Sequence, residues 1–433
     1  MNLNRTLSRR ELLKMAGVAG ASAAVLAACG KIPNITQVPT VVSKKKVRFA
    51  TWMVMEGWGI PASEKLKERF EEQNPEYELE FVGIPAGSMN QELTIMAAGG
   101  NSVDVGHIVR RWGPQLGAIG ALEDLDPYLP DSLKSDLYPW MLSGGRFGDW
   151  GMISVPFSPG PFMLCTNLRC LDKAGLEPRV PQTWGELIEA STKVGKNNNL
   201  YGWGHWTDQN GTAAMWALDA LWGLGGHVQA ADGSPEINGA ENVAAWTQIR
   251  DWQRSSPNAW ANGADVRIWR EMFGRDEVAF VIEGPWMKGV MRDVSGLGDA
   301  FDSHWVQTKV PVGATGESTA LESSTSLCMF KQSKVKDGAA ALIRMMSGDK
   351  EWQRTYETFS GEVSPLQSMA NDPQFADRPA IFEQLKTCRV EPVIVRFDAA
   401  MEVLAIAQYK IIEGADIEAT LNEYQGQIVR AWA

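Results

Sequence analysis

The sequence predicts an α/β fold built on a mostly parallel sheet. Three observations carry this. Strand-like and helix-like segments alternate as βαβαβ over residues 47–108, the alternation resumes in the middle of the chain, and the helical stretches carry their own start and stop signals. Residues 47–51 (VRFAT) place β-branched or aromatic side chains at the inward positions, which makes a strand. Residues 62–74 (ASEKLKERFEEQN) space Leu66 and Phe70 four apart among charges, as an amphipathic helix does. Residues 77–83 alternate Tyr77, Leu79 and Phe81 in a second strand. Residues 89–98 form a helix stopped by Gly99-Gly100, and residues 103–108 a third strand. In such sheets ligands meet the loops at the carboxyl ends of the strands.

The middle and end of the chain repeat the logic. Thr183-Trp184-Gly185-Glu186 is a capping box. Residues 213–224 form a helix with Met215, Leu218 and Leu221/Trp222 on one face, ended by Gly225-Gly226. Residues 278–282 make a short buried strand running into Glu283-Gly284-Pro285-Trp286. Residues 336–347 and 401–412 are further helices. No short-period repeat is present.

Composition narrows the function. A chain of 433 residues has room for two or three domains. Its net charge of −11 argues against binding nucleic acid through phosphates, which needs clustered Lys and Arg. Four scattered histidines and the lack of HExxH or CxxC spacing give no expectation of a metal or other cofactor. The unusual count is 18 tryptophans against 14 phenylalanines and 7 tyrosines. Tryptophan is favoured where a flat face meets a ligand and its N–H finds a partner. Residues 201–226 alone hold Trp203, Trp206, Trp216 and Trp222.

Residues 1–28 read as an export signal. Arg5, Arg9, Arg10 and Lys14 precede an uncharged run over 16–28, too short to span a bilayer. Ser8-Arg9-Arg10-Glu11-Leu12-Leu13-Lys14 resembles a twin-arginine export signal, although the general route stays open. Leu26-Ala27-Ala28-Cys29 resembles a bacterial lipobox, which implies cleavage before Cys29 and lipidation of its thiol. Losing four basic residues and one acidic residue would leave a mature net charge of −14. Residues 29–46, with Pro33, Pro39 and Lys44-Lys45-Lys46, read as an extended lipid-anchored tether. Cys165, Cys170, Cys328 and Cys388 allow two bridges in an oxidising compartment, with pairing left open.

Several segments follow one another in a familiar order. They are VRFATWMVMEGWG, then IMAAGGNSVDVGHIVRRWGPQLGAIGALEDLDPYL, then VPFSPGPFMLCTNLRCLDKAGLEPRVPQTWGELIEA, then FGRDEVAFVIEGPWMKGVM, then SSTSLCMFKQSKVKDGAAALIRMMSGDKEWQRTYETFSGEVSP. Together they resemble the extracytoplasmic solute-binding proteins of bacterial ABC transporters, in the sugar-binding group that includes maltose-binding protein. The Gly-Pro-Trp run is the most specific match. The resemblance implies a two-lobed periplasmic-binding-protein-like fold with a hinge and an interlobe ligand cleft. Lobe I would take 47–160 and 309–361, and lobe II 161–308 and 362–433. It further implies a monomer that captures a carbohydrate, with an oligosaccharide expected, and delivers it to permease subunits without catalysis.

A sugar ring offers apolar faces and a hydroxyl rim, so its site calls for indole planes with fixed polar groups at the edge. Trp286 is the leading platform, with Trp222 and Trp206 after it, Trp206 together with Asp208 in a polar loop. Trp52, Glu56 and Trp58 follow the first strand, and Arg110, Arg111 and Trp112 the third; one of the two arginines would serve only as an ion-pair partner. Glu283 would either accept a hydroxyl or cap the next helix. By the resemblance, Arg396 and Phe397 lie where the C-terminal segment returns to the cleft. Trp203, Trp216 and Trp184 are expected in the core, and Trp246, Trp252, Trp260, Trp269, Trp305 and Trp352 on helix-like stretches that pack. Two other readings remain. One is a solute of another kind, such as a phosphate ester, polyamine or peptide. The other is a lipid-anchored glycosidase using Glu56 and Glu283, which would need a set carboxylate spacing.

Overall fold

The computed structural model describes residues 43–432 apart from 102, 198, 264 and 393. The segments expected to be an export signal and a lipobox with Cys29, and most of the expected tether, lie outside the described residues. The last tether lysines, Lys45 and Lys46, already belong to the first strand.

Twelve strands run in chain order among the described residues: β1 (Lys45–Thr51), β2 (Tyr77–Gly83), β3 (Val105–Val109), β4 (Val155–Ser158), β5 (Met163–Asn167), β6 (Tyr201–Trp206), β7 (Trp260–Gly263), β8 (Val278–Glu283), β9 (Trp305–Thr308), β10 (Ala320–Glu322), β11 (Thr325–Met329) and β12 (Cys388–Val390). They form two five-stranded sheets, β2-β1-β3-β11-β4 and β7-β6-β8-β5-β9. In the first, β1 runs parallel to β2 and β3, and β11 is antiparallel to both its neighbours. In the second, β6 runs parallel to β7 and β8, and β5 is antiparallel to both its neighbours. Each sheet thus has one reversed strand in its fourth position. Both reversed strands are entered from the other half of the molecule, so their direction is set by that crossing rather than by a local βαβ unit.

The expected helices are present, with bounds shifted by a few residues. The Gly59–Gln73 helix buries Ala62, Leu66 and Phe70 on one stripe, and Met89–Ala98 buries Met89, Leu93 and Ala97. At the capping box, Thr183 Oγ1 accepts the Glu186 N–H at 3.2 Å, while Glu186 Oε2 accepts from Gln182 N at 2.7 Å, one residue before the cap. The Lys336–Gly348 and Lys350–Ser360 helices pack on the first half, and Phe397–Ile412 and Ile417–Trp432 on the second. No helix among the described residues is long and apolar enough to cross a membrane.

Three stretches connect the halves: 159–162, 309–324 and the segment after residue 360. They hold to one another. Phe162 N donates to Leu321 O at 2.8 Å, Ser323 N to Gly160 O at 2.9 Å, and β10 pairs in parallel with β12. Asp219, fully buried on the Gly211–Gly223 helix, reaches this layer and accepts the Leu321 N–H at 2.7 Å. Its burial pushes the carboxyl up to about 8.

The second half is where most buried indole resides. Trp184, Trp203, Trp252 and Trp260 sit ring against ring at 5.0–6.4 Å, and Trp252 donates to Ser191 Oγ at 2.5 Å. Trp246, Trp269, Trp305 and Trp352 are also buried. Trp260 and Trp305 lie on strands β7 and β9, not on helices. The four described cysteines are unpaired, and burial pushes the thiols of Cys170 and Cys328 up to about 12 and those of Cys165 and Cys388 well above their ordinary range.

Candidate functional site

One cavity of about 630 Å³ opens where the carboxyl ends of the parallel strands of both sheets meet. The first half contributes Trp52, Glu56 and Trp58 after β1, residues 85–87 after β2, and His107, Val109, Arg111 and Trp112 on and after β3. The second contributes Trp206 at the end of β6, the Val266–Gly274 helix after β7, Trp286 after β8, and the opening turns of the Gly211–Gly223 helix.

Two aromatic walls line it. In the first half, Trp52 stacks on His107 with ring centroids 3.7 Å apart and planes 20° apart, and meets Trp112 edge-on at 6.4 Å. The series continues from His107 to Phe157 at 5.4 Å, to Tyr356 at 4.7 Å and to Trp58 at 6.0 Å. In the second half, Trp206 meets Trp216 edge-on at 5.0 Å, Trp216 meets Phe162 at 4.9 Å, and Phe162 meets Trp286 at 5.8 Å. Gly284 is needed for this wall. A Cβ there would fall 2.1 Å from the Trp286 ring, so the indole folds back over a bare backbone.

Charged groups fix the walls. Glu283 is fully buried; one oxygen accepts the Arg270 guanidinium and the other the Trp286 N–H at 2.6 Å. Burial pushes the Glu283 carboxyl up, and Arg270 and the indole pull against that. Glu56 accepts the Trp58 N–H; its carboxyl is likewise raised by burial, opposed by Arg270 and reinforced by the charges of Glu283 and Asp293. Arg267 pairs with Asp265 at 2.5 Å. Tyr356 donates its hydroxyl to Glu362, whose buried carboxyl is pushed up to about 7. His107 is held down to about 3 by burial and is therefore an uncharged ring.

The structure brings seven of the twelve predicted ligand residues to the cavity: Trp52, Glu56, Trp58, Arg111, Trp112, Trp206 and Trp286. Glu283 stands behind the second wall and holds it. It neither lines the cavity nor caps the next helix, where Trp286 is the N-terminal cap. Arg110 is buried against Gly144 and points to the Glu391 carbonyl at 3.5 Å. Arg111 reaches across the halves to Glu391 at 3.0 Å and Asp398 at 2.7 Å, with Asn90 also on Asp398 at 2.9 Å. Asp208 accepts from Asn210 Nδ2 at 2.6 Å and so steadies the cap of the Gly211–Gly223 helix. Trp222 lies at the far end of that helix, in the core, with Arg389 stacked over it at 5.1 Å. Arg396 is exposed and turned toward the Arg430 carbonyl, and Phe397 packs on Trp432.

Sequence reasoning missed Trp216, Arg270, Tyr356 and Glu362, which all line the cavity. Trp216 could have been found: it sits one turn after the Asn210 cap, and helix N-termini follow the carboxyl ends of parallel strands. The others carry no local signal.

Comparisons with known proteins agree with this architecture. The family model described as bacterial extracellular solute-binding protein matches residues 58–351. A binding protein of Brucella abortus (strain 2308) is 24% identical over 373 residues, spanning 82% of this chain and 85% of its own. The GacH receptor of Streptomyces glaucescens GLA.O, solved unliganded and with acarbose and an acarbose homolog, superposes with a TM-score of 0.78 at 21% identity, covering 90% of this chain and 98% of that one. An ABC transporter solute-binding protein of Thermotoga lettingae TMO, bound with α-D-tagatose, gives 0.80 at 18% identity, covering 90% and 100%. With two mixed sheets meeting at one aromatic cavity and a family model matched over most of its length, the chain belongs to the bacterial extracellular solute-binding proteins.

Proposed function

We propose that the protein captures a carbohydrate, with an oligosaccharide the best fit, between two lobes and hands it to the permease of an ABC importer. The observation that carries this is the pair of aromatic walls facing across one cavity, with carboxylates and guanidinium groups at its edges. Sugar rings stack by their apolar faces on such planes and take directed hydrogen bonds at the rim. The solved relatives that bind acarbose and tagatose support the same class. In this reading lobe I takes 47–160 and 309–361, lobe II takes 161–308 and 362–433, and the lobes close about the three crossing segments as a hinge. The protein acts as a monomer outside the cytoplasm, held to the membrane through Cys29 after loss of residues 1–28.

Nothing in the cavity favours turnover. Glu283, the partner that a glycosidase would need for Glu56, is committed to Arg270 and Trp286. An anionic solute is also disfavoured. Arg111, Arg267 and Arg270, the guanidinium groups lining the cavity, are each paired with a carboxylate.

Titration of intrinsic tryptophan fluorescence with neutral oligosaccharides, phosphate esters and polyamines tests the reading. A response to sugars that stay intact by mass spectrometry supports it. Response to phosphate esters alone would sink it.

A further inference from the structure

The cavity is unbalanced in charge. Its three arginines are spoken for by Glu391, Asp398, Asp265 and Glu283. Glu56 and Asp293, which also line it, have no cation of their own. Glu56 accepts only an indole N–H and shares the field of Arg270 with Glu283. The Asp293 carboxylate takes no hydrogen bond or ion pair from the described residues. These two acids come from opposite halves and are brought together. A Cβ on Gly57, the neighbour of Glu56, would fall 2.2 Å from Asp293 Oδ2. Trp58 from the first half and Trp286 from the second line the same cavity. Farther along the same cavity, two polar atoms of residues more than nine-tenths buried have no partner among the described residues: Trp112 Nε1 and Thr325 Oγ1. A solute that fits this lining supplies polar atoms at one place and positive charge at another.

Resting on the carbohydrate reading, we infer that the solute bears a protonated amine, seated between Glu56 and Asp293. Two like charges from opposite halves oppose closure, and an ammonium between them reverses the sign. Neutral hydroxyls would satisfy the acceptors but leave the charge uncompensated. The solute class is thus an amino-bearing glycoside.

The test uses the mature protein with four probes: deacetylated chitotriose, its fully N-acetylated form, cellotriose and spermidine. The amine trimer should bind at least about tenfold tighter than either neutral trimer near pH 6 and low salt. Its advantage should shrink with added salt and above the amine pKa. Glu56→Gln and Asp293→Asn should each cut the advantage about tenfold. Asp293 is exposed at the cavity lip, so its variant reports on binding even if Glu56→Gln folds poorly. Equal affinity for the amine and acetylated trimers overturns the inference and leaves the carbohydrate reading standing. Binding of spermidine alone keeps the cation site and removes the sugar. Failure of every amine-bearing probe to bind overturns the inference.

Discussion

The two walls of the cavity are held by different physics. The first is a run of rings, Trp52, His107, Phe157, Tyr356 and Trp58, in which the one ionisable ring next to Trp52 is kept uncharged. The second is pinned from behind by one buried carboxylate that grips both Arg270 and Trp286. Ring packing builds most of the first wall, with Trp58 and Tyr356 each tied to a carboxylate; an ion pair orients the second. The first should tolerate shape-conserving changes and change little with salt. The second should fail as a unit when its anchor is lost.

The sharpest way to break this contrast is Glu283→Gln. Removing one partner of a buried pair strands the Arg270 charge, and such losses cost about 3–5 kcal/mol. Urea unfolding should show that drop, with solute affinity falling too. An unchanged midpoint would place Arg270 in solvent rather than in the network. Next comes Trp286→Ala, which should weaken binding by about 2–4 kcal/mol with little change in melting, because the indole is only partly buried. Trp222→Ala should do the reverse and lower stability by about 3–5 kcal/mol with affinity intact, since its ring lies in the core away from the cavity. Arg111→Ala removes a tie between the halves and leaves Glu391 and Asp398 unpaired. About a tenfold loss of affinity is expected, read by titration.

The remaining predictions concern pH. His107 has its pKa depressed in the folded state, so protonation favours unfolding. The contribution is fully present above the ordinary histidine pKa and is lost as pH falls from there toward about 3. Asp219 runs opposite: its folded pKa is raised to about 8, so its contribution is lost as pH climbs from the usual carboxylate range toward 8. Asp219→Asn should flatten the slope between the usual carboxylate range and about pH 8, which for one group is at most about 1.4 kcal/mol per pH unit. A slope identical to wild type would mean that Asp219 is charged and compensated.

How much of this was legible in the sequence depends on the range of the interactions. The β1–β3 order, the Gly284-Pro285-Trp286 ledge and the cavity positions of Trp52, Trp58 and Trp112 follow from local periodicity and from where strands end. The Gly211–Gly223 helix shows the limit. Its 3.6-residue pattern identifies a buried face but not which end meets the ligand, so Trp222 was favoured and Trp216 was assigned to packing, when Trp216 is the residue on the cavity. Arg111 meets Glu391 and Asp398 across 280 and 287 residues, and no local rule chooses such partners. Tyr356 and Glu362 arrive at a chain crossing whose path depends on the assembled fold. The sequence separates Trp184, Trp203, Trp252 and Trp260 from the ligand candidates as core or packing residues, and in the second half they form a packed nucleus, because edge-on rings fill space as well as branched aliphatics do.

The unpaired cysteines give the molecule a clock of its own. Cys165, Cys170 and Cys328 are buried and Cys388 is partly so, and burial holds each thiol in its unreactive form, so an alkylating reagent reacts faster as the surrounding structure breathes. Cys388 sits on the strand that stitches the crossing segments together, whereas Cys328 is deep in the first sheet. The ratio of their labelling rates, with and without solute, would time the loosening of the junction against that of the sheet with no engineered probe at all.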